Sequence, residues 1–258
     1  MPVDLIATYL RLPVFLLVVS RLGGLVMFQP LLGGYAIPPT IRALLVVGLA
    51  AVVTPLVHVE AGVPVHALGF VLAMGNELLL GVLMGLVVRM CFVGLQLGGQ
   101  MIAQDAGLAF GRIADPATGM SQSTLSNFYL QLGAVVFLIV GGHRVLVAVA
   151  LDTFRTIPLL GDGGVFGGGL AMFLDAFSLA GEIAIRVAAP TMLTLLLIKT
   201  AMGFVSRTVP QFNILTIGFS LKGLVAFLLM AISLPAALEA FTGGLALTVD
   251  WIGGLVRG

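Results

Sequence analysis

The amino-acid sequence predicts an all-α integral membrane protein. Hydrophobic residues make up 60% of the 258 residues and charged residues only 9%, whereas a soluble domain is about 25% charged. The mean hydropathy is +1.19, and several apolar runs approach the ~20 residues that a spanning helix needs. We therefore expect about six or seven apolar helices, some of them long, tilted or broken, in a single membrane-embedded domain.

The apolar runs are separated by turns rich in Gly and Pro. They cover residues 12–32, 41–57, 67–97, 125–141, 145–160, 170–198 and 214–234. Two of these, 67–97 and 170–198, are longer than one span requires, and 145–160 is short and carries two charges. Helices that tilt, break or lie beside other protein would explain these lengths. The stretch at 161–169, which is rich in Gly, is predicted to be a flexible linker.

Composition and motifs exclude several classes of function. A net charge of +1 offers no basic surface for nucleic acid. The single cysteine, Cys91, allows neither a disulfide framework nor a thiolate metal site within the chain. The sequence contains no His-Glu-x-x-His and no Gly-x-Ser-x-Gly. We expect no enzymatic activity, no metal and no cofactor.

Glycines at one-turn spacing occur twice in the third run. Gly81 and Gly85 form one pair, and Gly94 and Gly98 form the other. Small residues at this spacing let two helix backbones approach closely in lipid. A glycine-rich, flexible helix would show the same pattern, but two pairs in one helix favour a protein-facing stripe.

Charged residues within or against apolar runs mark faces that point inward, because a charge in lipid is costly unless it is paired or hydrated. They are Arg21, Glu77, Arg89, Asp175, Glu182, Arg186 and Lys222. They could form a proton or ion relay, or they could be ion pairs that fix how helices dock. Glu182 and Arg186 are spaced to neutralise each other on one helix. Glu77 and Lys222 have no partner nearby in sequence, so we expect them to contact other helices or subunits.

A polar stretch, "AQDAGLAFGRIADPATGMSQSTLSN" at 103–127, interrupts the apolar sequence. Non-helical backbone at membrane depth is tolerated only against protein or a water-filled cavity. The stretch is therefore predicted to be a loop in an aqueous lumen or at an aqueous face. Its composition also suits an ordinary exposed loop between helices.

Several motifs, in order and spacing, resemble the FliR family, the R subunit of the flagellar type III export gate, whose injectisome counterpart is the T-type protein. They are "RLGGLVMFQPLLGGYAIPPTIRALLVVGLAAVVTP" at 21–55, the Glu77, Gly81, Gly85 helix, "GGQMIAQDAGLAFGRIADP" at 98–116, "GGHRVLVAVALDTFRTIP" at 141–158 and "RTVPQFNILTIGFSLKG" at 207–223. Ser220 departs from the family, which commonly has Pro there. The resemblance covers the chain nearly end to end.

The resemblance implies that one copy of this chain joins P-type and Q-type subunits, alongside other membrane proteins of the export apparatus. Together they would form a helical pore in the bacterial inner membrane, within the flagellar basal body, through which unfolded flagellar proteins pass. The charged residues expected in assembly are Arg21, Glu77, Glu182, Arg186 and Lys222. No nucleotide-binding loop is present, so energy would be supplied elsewhere.

The resemblance also implies that the 103–127 loop plugs the closed pore. The predicted plug residues are Gly107, Leu108, Phe110, Gly111, Ile113, Asp115 and Pro116. Phe110 and Ile113 are large enough to exclude water and ions from a narrow channel. The glycines would let the backbone fold sharply and move away.

The alternative is a stand-alone secondary transporter of a small solute. It would use Glu77, Asp175 and Glu182 to carry protons or cations. The repeat of broken helices in two corresponding halves, which is typical of such carriers, is not visible in the sequence.

Overall fold

The structure, a computed structural model, describes residues 2–29, 37–57, 66–108, 123–160, 165–208 and 214–257. In these ranges the chain forms seven α-helices, a short 3₁₀ turn (Thr54–Leu56) and no β-strand. The helices are α1 (Pro2–Phe28), α2 (Pro39–Val53), α3 (Ala67–Asp105), α4 (Thr124–Ile139), α5 (Gly142–Thr156), α6 (Val165–Thr208) and α7 (Ile214–Arg257). The predicted all-α membrane fold is confirmed.

Three helices are much longer than a simple span. Helix α3 has 39 residues, and α6 and α7 have 44 each. At 1.5 Å per residue, a 44-residue helix has a contour length of ~66 Å, about twice the ~30 Å of a bilayer's hydrocarbon core. These helices therefore extend beyond the hydrocarbon layer, or lie partly against protein.

Four described helical stretches are long and apolar enough to cross a membrane. They are Pro39–Leu56, Ala67–Asp105, Gly168–Arg207 and Gly218–Gly254. Helices α4 and α5 pass the same test only as a pair, which would raise the number to five. Gly141 separates them with a φ of +78°, a conformation that glycine adopts without steric cost.

Two predicted boundaries are wrong in detail. Helix α6 begins at Val165, so residues 165–169 are helical instead of part of the predicted linker, while 161–164 lie outside the described residues. The predicted loop at 103–127 is also too long, because α3 continues to Asp105 and α4 begins at Thr124, while 109–122 lie outside the described residues. Hydropathy locates apolar surface, but a helix continues through polar residues until the backbone is stopped.

Contacts divide the chain into two compact units. Unit 1 is Met1–Met90, Val140–Phe177 and Leu245–Gly258, and unit 2 is Cys91–Ile139 and Ser178–Gly244. Each of the helices α3, α6 and α7 contributes one part to each unit. The organisation as a single membrane-embedded domain stays a prediction.

Each unit has a packed apolar interior. In unit 1, Leu17 and Val18 of α1 and Val87 of α3 are fully buried. In unit 2, the Phe92 ring packs edge-to-face against Phe137 and Phe241, with ring centroids 5.6 and 4.9 Å apart. Offset edge-to-face pairs of this kind stabilise a core beyond the area they bury.

Helix α2 shows why the chain needs a membrane or neighbouring proteins. Only 17% of its candidate span is buried within the chain. Its exposed apolar side chains include Ile41, Leu44, Leu45, Val47 and Val52. Soluble monomers rarely expose a continuous apolar surface of this size to water.

Candidate functional site

The charged pair Arg21 and Glu77 lies in the interior of unit 1. Arg21 of α1 is 1% exposed and Glu77 of α3 is 4% exposed. The Arg21 Nε donates a hydrogen bond of 2.6 Å to Glu77 Oε2. Burial of either charge alone would be unfavourable, so the pair neutralises both and joins α1 to α3.

Arg21 also binds the C-terminal end of α5. Its Nη1 donates to the backbone carbonyl oxygens of Thr153 and Ile157, each at 3.1 Å. The Phe154 ring centroid lies 4.5 Å from the guanidinium carbon. The Thr153 carbonyl also accepts from the Ile157 N–H. Carbonyl oxygens at the C-terminal end of a helix carry partial negative charge, which a guanidinium stabilises. One side chain therefore connects three helices, and we call these contacts the Arg21 clamp.

Glycines bring the backbones of α1 and α3 into close contact beside the clamp. A Cβ at Gly81 would overlap the carbonyl oxygen of Arg21, and one at Gly24 would lie 2.5 Å from the carbonyl oxygen of Leu78. A Cβ at Gly85 would lie 2.8 Å from the carbonyl oxygen of Leu25. The pair Gly81 and Gly85 thus faces another helix, as its spacing predicts.

In unit 2, the second glycine pair of α3 faces α6. A Cβ at Gly94 would lie 2.8 Å from the carbonyl oxygen of Ala180, and one at Gly98 would lie 2.8 Å from Val187 Cβ. The next residue, Gly99, faces α4, where a Cβ would lie 2.7 Å from the Tyr129 ring. This part of α3 therefore packs closely against two helices.

Gly107 and Leu108, the first two of the predicted plug residues, end α3 with a Schellman motif. Gly107 has a φ of +83° and its N–H donates to Gln104 O at 3.1 Å, while the N–H of Leu108 donates to Ala103 O at 3.0 Å. This pattern satisfies the last carbonyls of the helix and requires a residue with positive φ. Gly107 therefore stops α3, and the Leu108 side chain follows beside Gly223 of α7.

An ion pair holds the same end of α3 against α6. Lys199 Nζ contacts Asp105 Oδ1, and the two side chains are 36% and 19% exposed. Asp105 is the last residue of α3, so the pair fixes the helix at the point where the loop begins. We call Asp105, Lys199 and Gly107 the loop shoulder.

The far end of the loop is fixed by a helix cap. Ser123 is buried, and its Oγ accepts a hydrogen bond of 3.1 Å from the N–H of Ser126. This is the N-cap contact that satisfies a free donor at the start of a helix, here α4. The Ser126 Oγ donates to Gln96 O of α3 at 3.1 Å. Residues 109–122 therefore connect the end of α3 to the start of α4, and both of these helix ends are held by contacts within unit 2.

The remaining predicted site residues fall into two groups. The plug residues Phe110, Gly111, Ile113, Asp115 and Pro116 lie outside the described residues. The others are on described helices. Glu182 Oε1 accepts a 2.5 Å hydrogen bond from Arg186 Nη2 on the surface of α6. Lys222 is half-buried on α7, and in the ranges that the structure describes it has no carboxylate within ion-pair distance.

Three residues in these contacts, Lys199, Gly24 and Gly99, are not among the predicted site residues. Lys199 lies in the apolar sequence "LLLIKTAMG", and it could have been found by the criterion that identified Glu77. Gly99 follows Gly98 directly, so it has no partner glycine at one-turn spacing that would predict its contact with α4. Among the described residues, no group of three or more His, Cys, Asp or Glu side chains could hold a metal ion.

The long apolar helices, the buried ion pair and the glycine-lined contacts define a polytopic α-helical membrane protein. Residues 12–247 match the family described as bacterial export proteins, family 1, and the chain belongs to this family. The resemblance to FliR proteins is thereby confirmed.

Curated relatives agree with the family match. The flagellar biosynthetic protein FliR of Aquifex aeolicus is 30% identical over 207 residues, which cover 80% of this chain and 79% of the relative. FliR of Bacillus subtilis is 26% identical over 245 residues, covering 92% of each. The surface presentation of antigens protein SpaR of Shigella sonnei is 27% identical over 233 residues, covering 89% and 90%.

Proposed function

We propose that this chain is a membrane subunit of a type III protein export gate, in the flagellar basal body at the bacterial inner membrane. The observation that carries the proposal is the family match over residues 12–247, with relatives named as flagellar biosynthetic proteins. One copy assembles with P-type and Q-type subunits around a pore for unfolded flagellar proteins. The exposed apolar surface of α2 supports the proposal, because such a surface needs neighbouring subunits or lipid to cover it.

Within that gate, the segment between the loop shoulder and Ser123 plugs the closed pore. The fixed ends support this role, because a plug must return to one position after each opening. Phe110 and Ile113 supply the bulk that excludes water and ions, and Gly111 supplies backbone freedom. Asp115 and Pro116 set a turn near the far end of the segment.

The chain has no enzymatic role in this proposal. Its work is structural: the Arg21 clamp and the glycine contacts give the subunit a defined shape, and Lys222 is available on α7 for a carboxylate of a neighbour. Glu182 and Arg186 are exposed on α6, where a neighbouring subunit can reach them.

The alternative, a secondary transporter, requires carboxylates that can bind and release a proton or cation. Glu77 is held by Arg21, and Glu182 is held by Arg186 on its own helix. Neutralised carboxylates with fixed partners are poor carriers, so these contacts favour an assembly role.

The first experiment measures the native mass of the chain after co-expression with the P-type and Q-type subunits of the same organism. A large complex that holds one copy of this chain is expected, because a gate subunit leaves apolar surface for its neighbours to cover. A lone monomer or homodimer beside stable neighbours would overturn the proposal and support a carrier.

The second experiment tests the plug in the assembled gate. Deleting residues 109–120 keeps Gly107, Leu108 and Ser123 in place, and it should raise the ion permeability of membranes that contain the gate. The double substitution Phe110→Ser with Ile113→Ser should raise it without shortening the chain, and Thr118→Ser is the matched control. An assembled gate that stays as tight as wild type in both variants would refute the plug.

A further inference from the structure

A cavity in unit 1 lies beside the C-terminal ends of α2 and α5 and has no part in the proposed export function. Its volume is about 540 Å³, within the ~300–1,000 Å³ typical of small-molecule sites. Its wall is mostly apolar. Val53 and Leu56 line it from α2 and the following turn, and Leu151 and Phe154 line it from α5.

Two opposite charges line the same cavity. Asp152 Oδ1 and Arg155 Nη1 are 3.9 Å apart, and their side chains are 61% and 86% exposed. This separation is longer than a good ion-pair hydrogen bond, so most of the guanidinium donors and carboxylate lone pairs remain available to a ligand. An apolar wall with one positive and one negative group is complementary to a molecule that has an apolar body and a zwitterionic head.

The cavity also lies at one end of a candidate membrane span. Helix α2 belongs to the candidate membrane span Pro39–Leu56, and Leu56 at the end of this span lines the cavity. The end of an apolar span marks the boundary between acyl chains and headgroups. Because α2 exposes most of its surface, lipid can reach the cavity from the side.

We propose that this cavity binds a zwitterionic phospholipid of the phosphatidylethanolamine type. Its acyl region packs against Val53, Leu56 and Leu151. Arg155 binds the phosphate, for which the planar guanidinium fork is suited, and Asp152 accepts hydrogen bonds from the ammonium group. An anionic lipid such as phosphatidylglycerol satisfies Arg155 but has no ammonium group to neutralise Asp152, so the site selects the zwitterion.

The test is native mass spectrometry of the full chain, co-purified with its neighbours, stripped of lipid in detergent and exposed to equal amounts of phosphatidylethanolamine and phosphatidylglycerol. Wild type should retain phosphatidylethanolamine in about tenfold preference, the effect expected of one charge-assisted contact. Arg155→Gln should lower the retained amount by about tenfold, and Asp152→Asn should shift the preference toward phosphatidylglycerol. Ala148→Trp, which fills the cavity, should remove the bound lipid.

The matched control is Arg207→Gln. Arg207, like Arg155, is an exposed arginine in the last turn of a helix, but it does not line the cavity. Equal retention of the two lipids by wild type, or equal losses in Arg155→Gln and Arg207→Gln, would overturn the proposal. It would also be overturned if the isolated chain bound the lipid and the complex did not, because a neighbouring protein would then occupy the groove. None of these readouts depends on export.

Discussion

The Arg21 clamp makes a quantitative prediction about folding. Glu77→Gln leaves the Arg21 guanidinium buried without its counter-charge. Arg21→Met likewise leaves the Glu77 carboxylate buried without a counter-charge. Both groups are almost fully buried, with side-chain exposures of 1% and 5%. Breaking a buried pair by removing one partner costs about 3–5 kcal/mol, so each single substitution should lower the free energy of unfolding by that amount.

Arg21→Met should be the more harmful of the two substitutions. It also removes the Nη1 hydrogen bonds to the Thr153 and Ile157 carbonyls at the end of α5, although Thr153 O keeps its hydrogen bond from the Ile157 N–H. Each lost hydrogen bond adds about 0.5–1.5 kcal/mol to the cost. The double variant, with Met at both positions, contains no buried charge. Its loss should therefore be smaller than the sum of the two single losses by about 2 kcal/mol or more.

The assay is denaturant unfolding of the purified protein in detergent, followed by far-UV circular dichroism. The control pair is Glu182 and Arg186, which are equally close but 53% and 64% exposed, and removing either partner should cost less than about 1 kcal/mol. The reasoning is refuted if the two clamp substitutions add to within about 0.5 kcal/mol, because uncoupled residues behave that way. It is also refuted if the clamp losses are no larger than the control losses.

Three further predictions concern packing and the loop shoulder. Gly81→Ala should strongly destabilise the protein because the new Cβ would overlap the backbone of α1, whereas Gly75→Ala on the same helix has open space around it and should be neutral or stabilising by up to about 1 kcal/mol. The melting temperatures of both variants measure this difference. Equal melting temperatures would contradict the prediction. Asp105→Lys and Lys199→Asp should each reduce the yield of folded protein, and the combined charge swap should restore most of that yield. If the swapped variant gives no more folded protein than either single variant, the ion pair does not hold α3 to α6. Gly107→Ala should lower the free energy of unfolding by about 1 kcal/mol because alanine disfavours a φ of +83°. An unchanged free energy of unfolding would mean that α3 can end at another residue.

The sequence by itself determined the class of the protein and the positions of most helices. Hydropathy and one-turn spacing are local properties, and lipid forces every spanning backbone group into a helix or a closed barrel. The same local reasoning identified Gly81 and Gly85 as a contact stripe, and it identified Glu77 as a residue in need of a partner. Those two predictions required no knowledge of which helix lies opposite.

Only the tertiary structure decided the partners. Glu77 pairs with Arg21, 56 residues away, and Arg21 reaches Thr153, 132 residues away. Asp105 meets Lys199 across 94 residues. Charges of opposite sign could pair in several ways, because Coulomb attraction depends on distance in space and not on separation along the sequence. The choice among them is made by close packing, because glycines such as Gly24 and Gly81 set which backbones can approach and therefore which side chains can meet.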